Sequence, residues 1–299
     1  MKKLKLNNFW LKVVAIISMT ISHIGDFLLY FGYISYESNT FFILSILGRI
    51  AYPIFLFLLI EGLEHTHSKK NYLTRLLIGA GVIYVGILII NLPQVSGMFE
   101  VGGISRFGNI FLELFLLALT YCLITLENKK KRFYAILPIL FISAMSVVKY
   151  LSAANIIPYN KFHFLWDGLY VQFDFIGLLM FLGFYFAYKI NDRLIEKALN
   201  DEELVETYKA SDGYQFRKNS SAAVVIALIS VLCYLLTFIP DPNMIFYCDF
   251  AHLSYVVLAC LFILFYDGKL GYKNKYIQGA FYLYYPLHLV IIFLIFYFL

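Results

Sequence analysis

Apolar residues along the chain follow neither a strand alternation nor a single helical stripe. They run in blocks of about 20 residues separated by short polar stretches, and about 20 is the length that crosses a bilayer as a helix. Such blocks lie at 10–31, 42–63, 72–92, 109–126, 133–150, 169–189, 220–239, 249–266 and 278–299. The fifth and eighth are the weakest because they are short. The pattern predicts an all-α polytopic membrane protein, a bundle of about nine transmembrane helices forming one domain over 1–299.

Charge tests this map. With the N-terminus in the cytoplasm and the C-terminus outside, the inner segments hold 20 of the 24 Lys and Arg, and only Arg49, Arg106, Lys149 and Lys161 fall outside. A missed or extra helix would mix the two sets downstream of the error, so the positive-inside rule supports nine crossings. A tenth short or re-entrant helix is compatible with it. The longest inner loop, about 190–218, has an apolar rhythm at Leu194, Ile195, Ala198, Leu204, Val205 and Tyr208. It predicts a cytoplasmic amphipathic helix dividing the chain into six helices plus three. No internal repeat is apparent.

Composition agrees: 61% of residues are hydrophobic and 14% charged, too few charges for a soluble surface of this size. The basic clusters follow membrane topology and do not suggest nucleic acid. Cys122, Cys233, Cys248 and Cys260 have no metal-ligand spacing, so neither zinc nor a disulfide framework is expected. The opening MKKLKLNNFW is a basic lead-in to an uncleaved first helix, because the apolar run after it is long and ends without a small-residue cleavage site. Serine-nucleophile, phosphate-loop, HExxH and dinucleotide motifs are absent.

Against this background the polar residues inside apolar runs stand out. At 100° per residue, Lys12, Ala15, Ser18, Met19, Ser22, His23 and Asp26 share one arc of helix 1. Small and polar residues on one side face a bundle or a cavity, not lipid. His23 lies roughly 20 Å above the inner end at 1.5 Å per residue. A histidine side chain can accept and return a proton, and Asp26 one turn away is placed to orient it. A structural hydrogen bond explains the pair equally well. Arg49, expected near the outer start of helix 2, reads as a snorkelling cation. Asn109 and Glu113 open helix 4, His163, Asp167 and Asp174 lead into helix 6, Asp249 and His252 open helix 8, and His288 sits near the middle of helix 9. Each alone is an ordinary bundle contact; several at similar depth predict a polar cavity. The inner loop EGLEHTHSKKNYLTR gathers His65, Lys69, Lys70 and Arg75. Positive-inside topology accounts for its lysines, and a basic, hydroxyl-rich mouth also suits a phosphate-bearing donor.

Five stretches occur in the order seen in the TraX family: LKVVAIISMTISHIG, GRIAYPIFLFLLIEGLEHTHSKKNYLTRLL, GNIFLELF, DFIGLLMF and YLYYPLHLVIIF. The chain resembles that family from helix 1 to helix 9, most specifically in helices 1–3 and the Tyr-Pro-Leu-His ending. The family takes its name from a membrane protein that acetylates the N-terminus of conjugative pilin. The resemblance implies acyl transfer from cytoplasmic acetyl-CoA to an extracytoplasmic amine or hydroxyl, on an exported peptide such as pilin, a glycan or a lipid head group. It implies His23 as base or acyl carrier, assisted by Asp26, Arg49, Asn109 and His288. CoA would be held near His65, Lys69, Lys70 and Arg75, with no metal. Ser22 stands where family members often carry Asp. Two other readings are open: a transporter or flippase using the same cavity for an amphipathic or lipid-linked substrate, and a non-enzymatic scaffold of an envelope assembly.

Overall fold

A computed structural model describes residues 5–90, 108–153, 156, 168–239, 251–272 and 274–299. His163, Asp167, Asp249, Cys248, Arg106 and Lys161 lie outside the described residues. The described chain is helical, with one isolated parallel bridge, Leu6 to Tyr266, outside the helices.

The helices are α1 (Asn8–Tyr30), α2 (Asn39–Gly48), α3 (Ala51–His65), α4 (Lys69–Ile90), α5 (Ile110–Ile124), α6 (Ile136–Ala153, preceded by a 3-10 turn, Lys131–Ala135), α7 (Asp174–Leu199), α8 (Glu202–Lys209), α9 (Asp212–Leu236), α10 (Ala251–Ile263, largely 3-10) and α11 (Lys275–Phe298). Among the described residues six spans are long and apolar enough to cross a membrane: Asn8–Tyr30, Asn39–His65, Lys69–Ile90, Lys131–Leu151, Asp212–Leu236 and Gly279–Phe298. These correspond to six of the nine predicted blocks, including the fifth, which sequence length had placed among the weakest. The blocks at 109–126 and 249–266 appear as the shorter apolar helices α5 and α10. The block at 169–189 is helical only from Asp174, where the more polar α7 begins.

Packing divides the residues into two compact units, Met1–Leu58 with Met180–Leu299, and Leu59–Leu179. In the first, α1 packs on α2 and on α11. Its N-terminal segment is tied down: Leu6 N–H donates to Phe265 O (2.8 Å) and Asp267 N–H to Leu6 O (2.9 Å). Lys5 pairs with Asp212 at 2.9 Å, and this hydrogen bond holds its ammonium above the usual lysine range. In the second unit α4 packs on α5 and α5 on α6.

Two departures from the predicted elements have local causes. The second block is one span in two pieces. α2 starts earlier than its apolar run, capped by Ser38, whose hydroxyl accepts from Phe41 N–H at 3.1 Å. The helix breaks at Arg49–Ile50 and resumes as α3 with Pro53 in its first turn, where a missing N–H costs nothing. Arg49 therefore sits at a break inside the span and not at its outer start. The loop 190–218 is not one amphipathic helix. α7 runs through it to Leu199, and Asn200 turns the chain at φ 49°, a left-handed ending that Asn tolerates. Asp201 then caps α8 and Ser211 caps α9. Of the apolar rhythm, Ile195 and Val205 are buried, while Leu194 and Leu204 are exposed.

Candidate active site

His23 and His288 meet in the first unit. Both are 4% exposed, and their ring centroids are 5.2 Å apart. α1 carries the first, and α11 the second. Asp26 is one turn beyond His23, its Oδ2 3.4 Å from His23 Nδ1, and is partly exposed. The sequence-predicted His–Asp pair is therefore present, and His288 joins it.

The surroundings of His288 set its tautomer. Its Nδ1 lies 2.9 Å from the carbonyl of Tyr284, one turn earlier on α11. A carbonyl only accepts, so Nδ1 carries the hydrogen, and in the neutral ring Nε2 holds the lone pair. Nε2 is buried and has no hydrogen-bond partner among the described residues. The Tyr284 ring stacks on the imidazole at 4.9 Å with 4° between planes, and Tyr285 meets it edge-on at 5.6 Å. Tyr284 OH and Thr20 Oγ1 share a hydrogen bond of 2.6 Å, which fastens α11 to α1 just before the two histidines. Sequence reasoning passed over Tyr284 and Thr20. The signal for Tyr284 was its place four residues before His288, where its backbone carbonyl meets the ring.

α2 approaches the same part of α1 very closely. A Cβ on Gly48 would lie 2.2 Å from Ser22 Cβ, so only glycine fits. Ser18 Oγ donates to the carbonyls of Leu47 and of Gly48, the latter at 3.2 Å. Arg49 follows directly. Its Nε is buried with no hydrogen-bond partner among the described residues, and the residue as a whole is half-buried. His252, on α10, is ringed by Tyr36, Phe41 and Phe42 at 6.1–6.2 Å.

The remaining sequence candidates belong to the second unit. Asn109 is buried and caps α5, its Oδ1 accepting from Leu112 N–H at 3.1 Å. Its amide donates to the carbonyls of Ala80 (2.9 Å) and Gly168 (3.1 Å). Both amide hydrogens are thus spent on backbone. Glu113, fully buried, accepts from the N–H groups of Gln172 (3.0 Å) and Phe173 (2.9 Å) at the start of α7. Asp174 pairs with Lys149 at 2.7 Å. Asn109 and Glu113 therefore pin the 168–174 segment in place. His65, Lys69, Lys70 and Arg75 gather around the α3–α4 turn, all exposed. His65 Nδ1 meets Glu61 O at 2.8 Å, and Lys69 reaches Thr125 Oγ1 at 3.3 Å. No group of three or more His, Cys, Asp or Glu suited to a metal occurs among the described residues.

The fold and this cluster define a multi-pass helical membrane protein with two histidines and an aspartate gathered inside one of its packed units. The family model described as TraX protein matches residues 8–170, more than half of the chain. The chain belongs to the TraX family. Of the sequence candidates placed above, the matched stretch leaves out Asp174, His252 and His288. A segment of 69 residues, 23% of the chain, is 39% identical to the probable fimbrial assembly protein FimC, serogroup H1, of Dichelobacter nodosus. The match covers 26% of that relative's length. No solved structure matches the chain.

Proposed function

We propose that the protein is a membrane acyltransferase. It moves an acetyl group from acetyl-CoA to an amine or hydroxyl of an exported or envelope acceptor, with fimbrial subunits as the favoured class. Family membership and the relative named for fimbrial assembly support the acceptor class. The observation that carries the chemistry is His288 Nε2, a buried lone pair fixed by the Tyr284 carbonyl and set beside the His23 ring.

In this reaction the acceptor nitrogen or oxygen attacks the thioester carbonyl, the C–S bond breaks, and CoA leaves as a thiol. A neutral imidazole takes the proton the acceptor loses and returns it to the thiolate, a service worth roughly 10²–10⁴-fold in rate. His288 is positioned for that transfer. His23, with Asp26 beside Nδ1, supplies the second imidazole. The buried Arg49 Nε–H is a donor for the carbonyl oxygen as it gains charge, a contribution of about 10²–10³-fold. Asn109 takes no part in this step: its amide is spent on the carbonyls of Ala80 and Gly168. Lys69, Lys70 and Arg75 are the cations offered to the CoA phosphates, with His65 beside them as a further polar group.

The test is thiol release from acetyl-CoA by the protein in nanodiscs, with and without an envelope extract as acceptor source. Release that depends on the extract, and that falls by two orders of magnitude or more in His288→Ala and in His23→Ala, is expected. Absence of both release and acetyl-CoA binding would remove the enzyme reading and leave a transporter using the same cluster.

A further inference from the structure

Between α5 and α6 the chain places Lys129, Lys130, Lys131 and Arg132 in succession, then Phe133 and Tyr134. Asn128 organises the turn. Its Oδ1 accepts from the backbone N–H of Lys130 (3.0 Å) and Lys131 (3.4 Å). Its carbonyl accepts from Lys131 N–H (3.0 Å) and Arg132 N–H (3.3 Å). Arg132 Nε donates to Leu126 O at 2.6 Å. These bonds leave the four cationic side chains on the surface. Among the described residues Lys129, Lys130 and Lys131 have no carboxylate within ion-pair distance. Lys5 and Lys209, by contrast, pair with Asp212 and Glu196.

The aromatics that follow are unusually bare for their size, Phe133 at 73% and Tyr134 at 56% exposure. After them Ile136, Leu137 and Leu140 are exposed along α6, within a membrane-length span. Cation, aromatic and aliphatic surfaces thus succeed one another along the chain. That is the succession of head group, interface and hydrocarbon met on entering a bilayer. We propose that the 128–134 turn binds anionic phospholipid head groups, the unpaired lysines taking the phosphodiester and Phe133 and Tyr134 seating at the interface. Charge complementarity selects the occupant: zwitterionic head groups bring no net charge to three unpaired ammonium groups.

The inference does not depend on acyl transfer. Its test is thermal unfolding of the full chain in detergent, titrated with phosphatidylglycerol or phosphatidylcholine, wild type beside K129Q/K130Q/K131Q. Phosphatidylglycerol should raise the wild-type midpoint, and phosphatidylcholine should not. Each lysine removed should weaken the apparent phosphatidylglycerol affinity roughly fivefold, the size of one cation's attraction to an anionic surface. Should the triple variant fold too poorly to measure, Lys130→Gln alone must show the single fivefold step. A variant responding like wild type, or equal responses to both lipids, would overturn the proposal. So would loss of the phosphatidylglycerol response on adding inorganic phosphate or free CoA, because a soluble phosphate would then be the occupant.

Discussion

At the scale of single residues, Tyr284 holds His288 through its backbone carbonyl and its ring, while its hydroxyl serves the contact with Thr20. The two roles separate by substitution. Tyr284→Phe keeps the carbonyl and the stacked ring and loses one hydrogen bond, a cost of about 1 kcal/mol. We expect thiol release within a fewfold of wild type and a modestly lower unfolding midpoint. His288→Ala removes the lone pair itself, and its rate loss should be far larger than any stability loss. Equal rate losses in the two variants would mean that the α1–α11 contact made by the hydroxyl, and not the His288 lone pair by itself, governs the rate. The residue scale also shows where reading the chain fell short. His23 with Asp26 was legible because three-residue spacing on a helix always brings side chains to one face. The tautomer of His288 was not, because it depends on where a carbonyl points.

At the scale of elements, the α1–α2 contact is set by Gly48. A methyl there would meet Ser22 at 2.2 Å and the Ser22 backbone at 3.1 Å, so α2 must move. Gly48→Ala should lower stability by about 1–3 kcal/mol, the usual cost of overpacking, read as a lower midpoint of thermal unfolding. It should also reduce activity, because α2 delivers Arg49. An unchanged midpoint would show that α2 yields freely. Ser22 suits that contact: a small side chain lets α2 approach. Asn109 and Glu113 teach the opposite lesson. Their depth suggested a cavity shared with His23, and the structure spends them on the carbonyls and amides of the 168–174 segment. A buried polar residue in an apolar run serves backbone as readily as chemistry, since neither water nor helix satisfies a chain turning inside a protein.

For the whole molecule, the predicted topology has a direct measurement. With nine crossings, single cysteines in a cysteine-free background at Lys3 and at Phe298 should react with an impermeant maleimide from opposite faces of sealed vesicles, and one at Lys130 should share the face of Lys3. Labelling of Lys3 and Phe298 from the same face would require an even number of crossings. The all-helical membrane class, the six long spans and the pairing of His23 with Asp26 were determined by the sequence alone, because run length, charge bias and helical spacing are properties of a chain in its solvent. The break at Arg49, the division of the 190–218 segment among three helices, and the meeting of His23 with His288 across most of the chain were decided only by tertiary structure. Each depends on which distant backbone groups and side chains arrive at the same place, and local pattern carries no record of that.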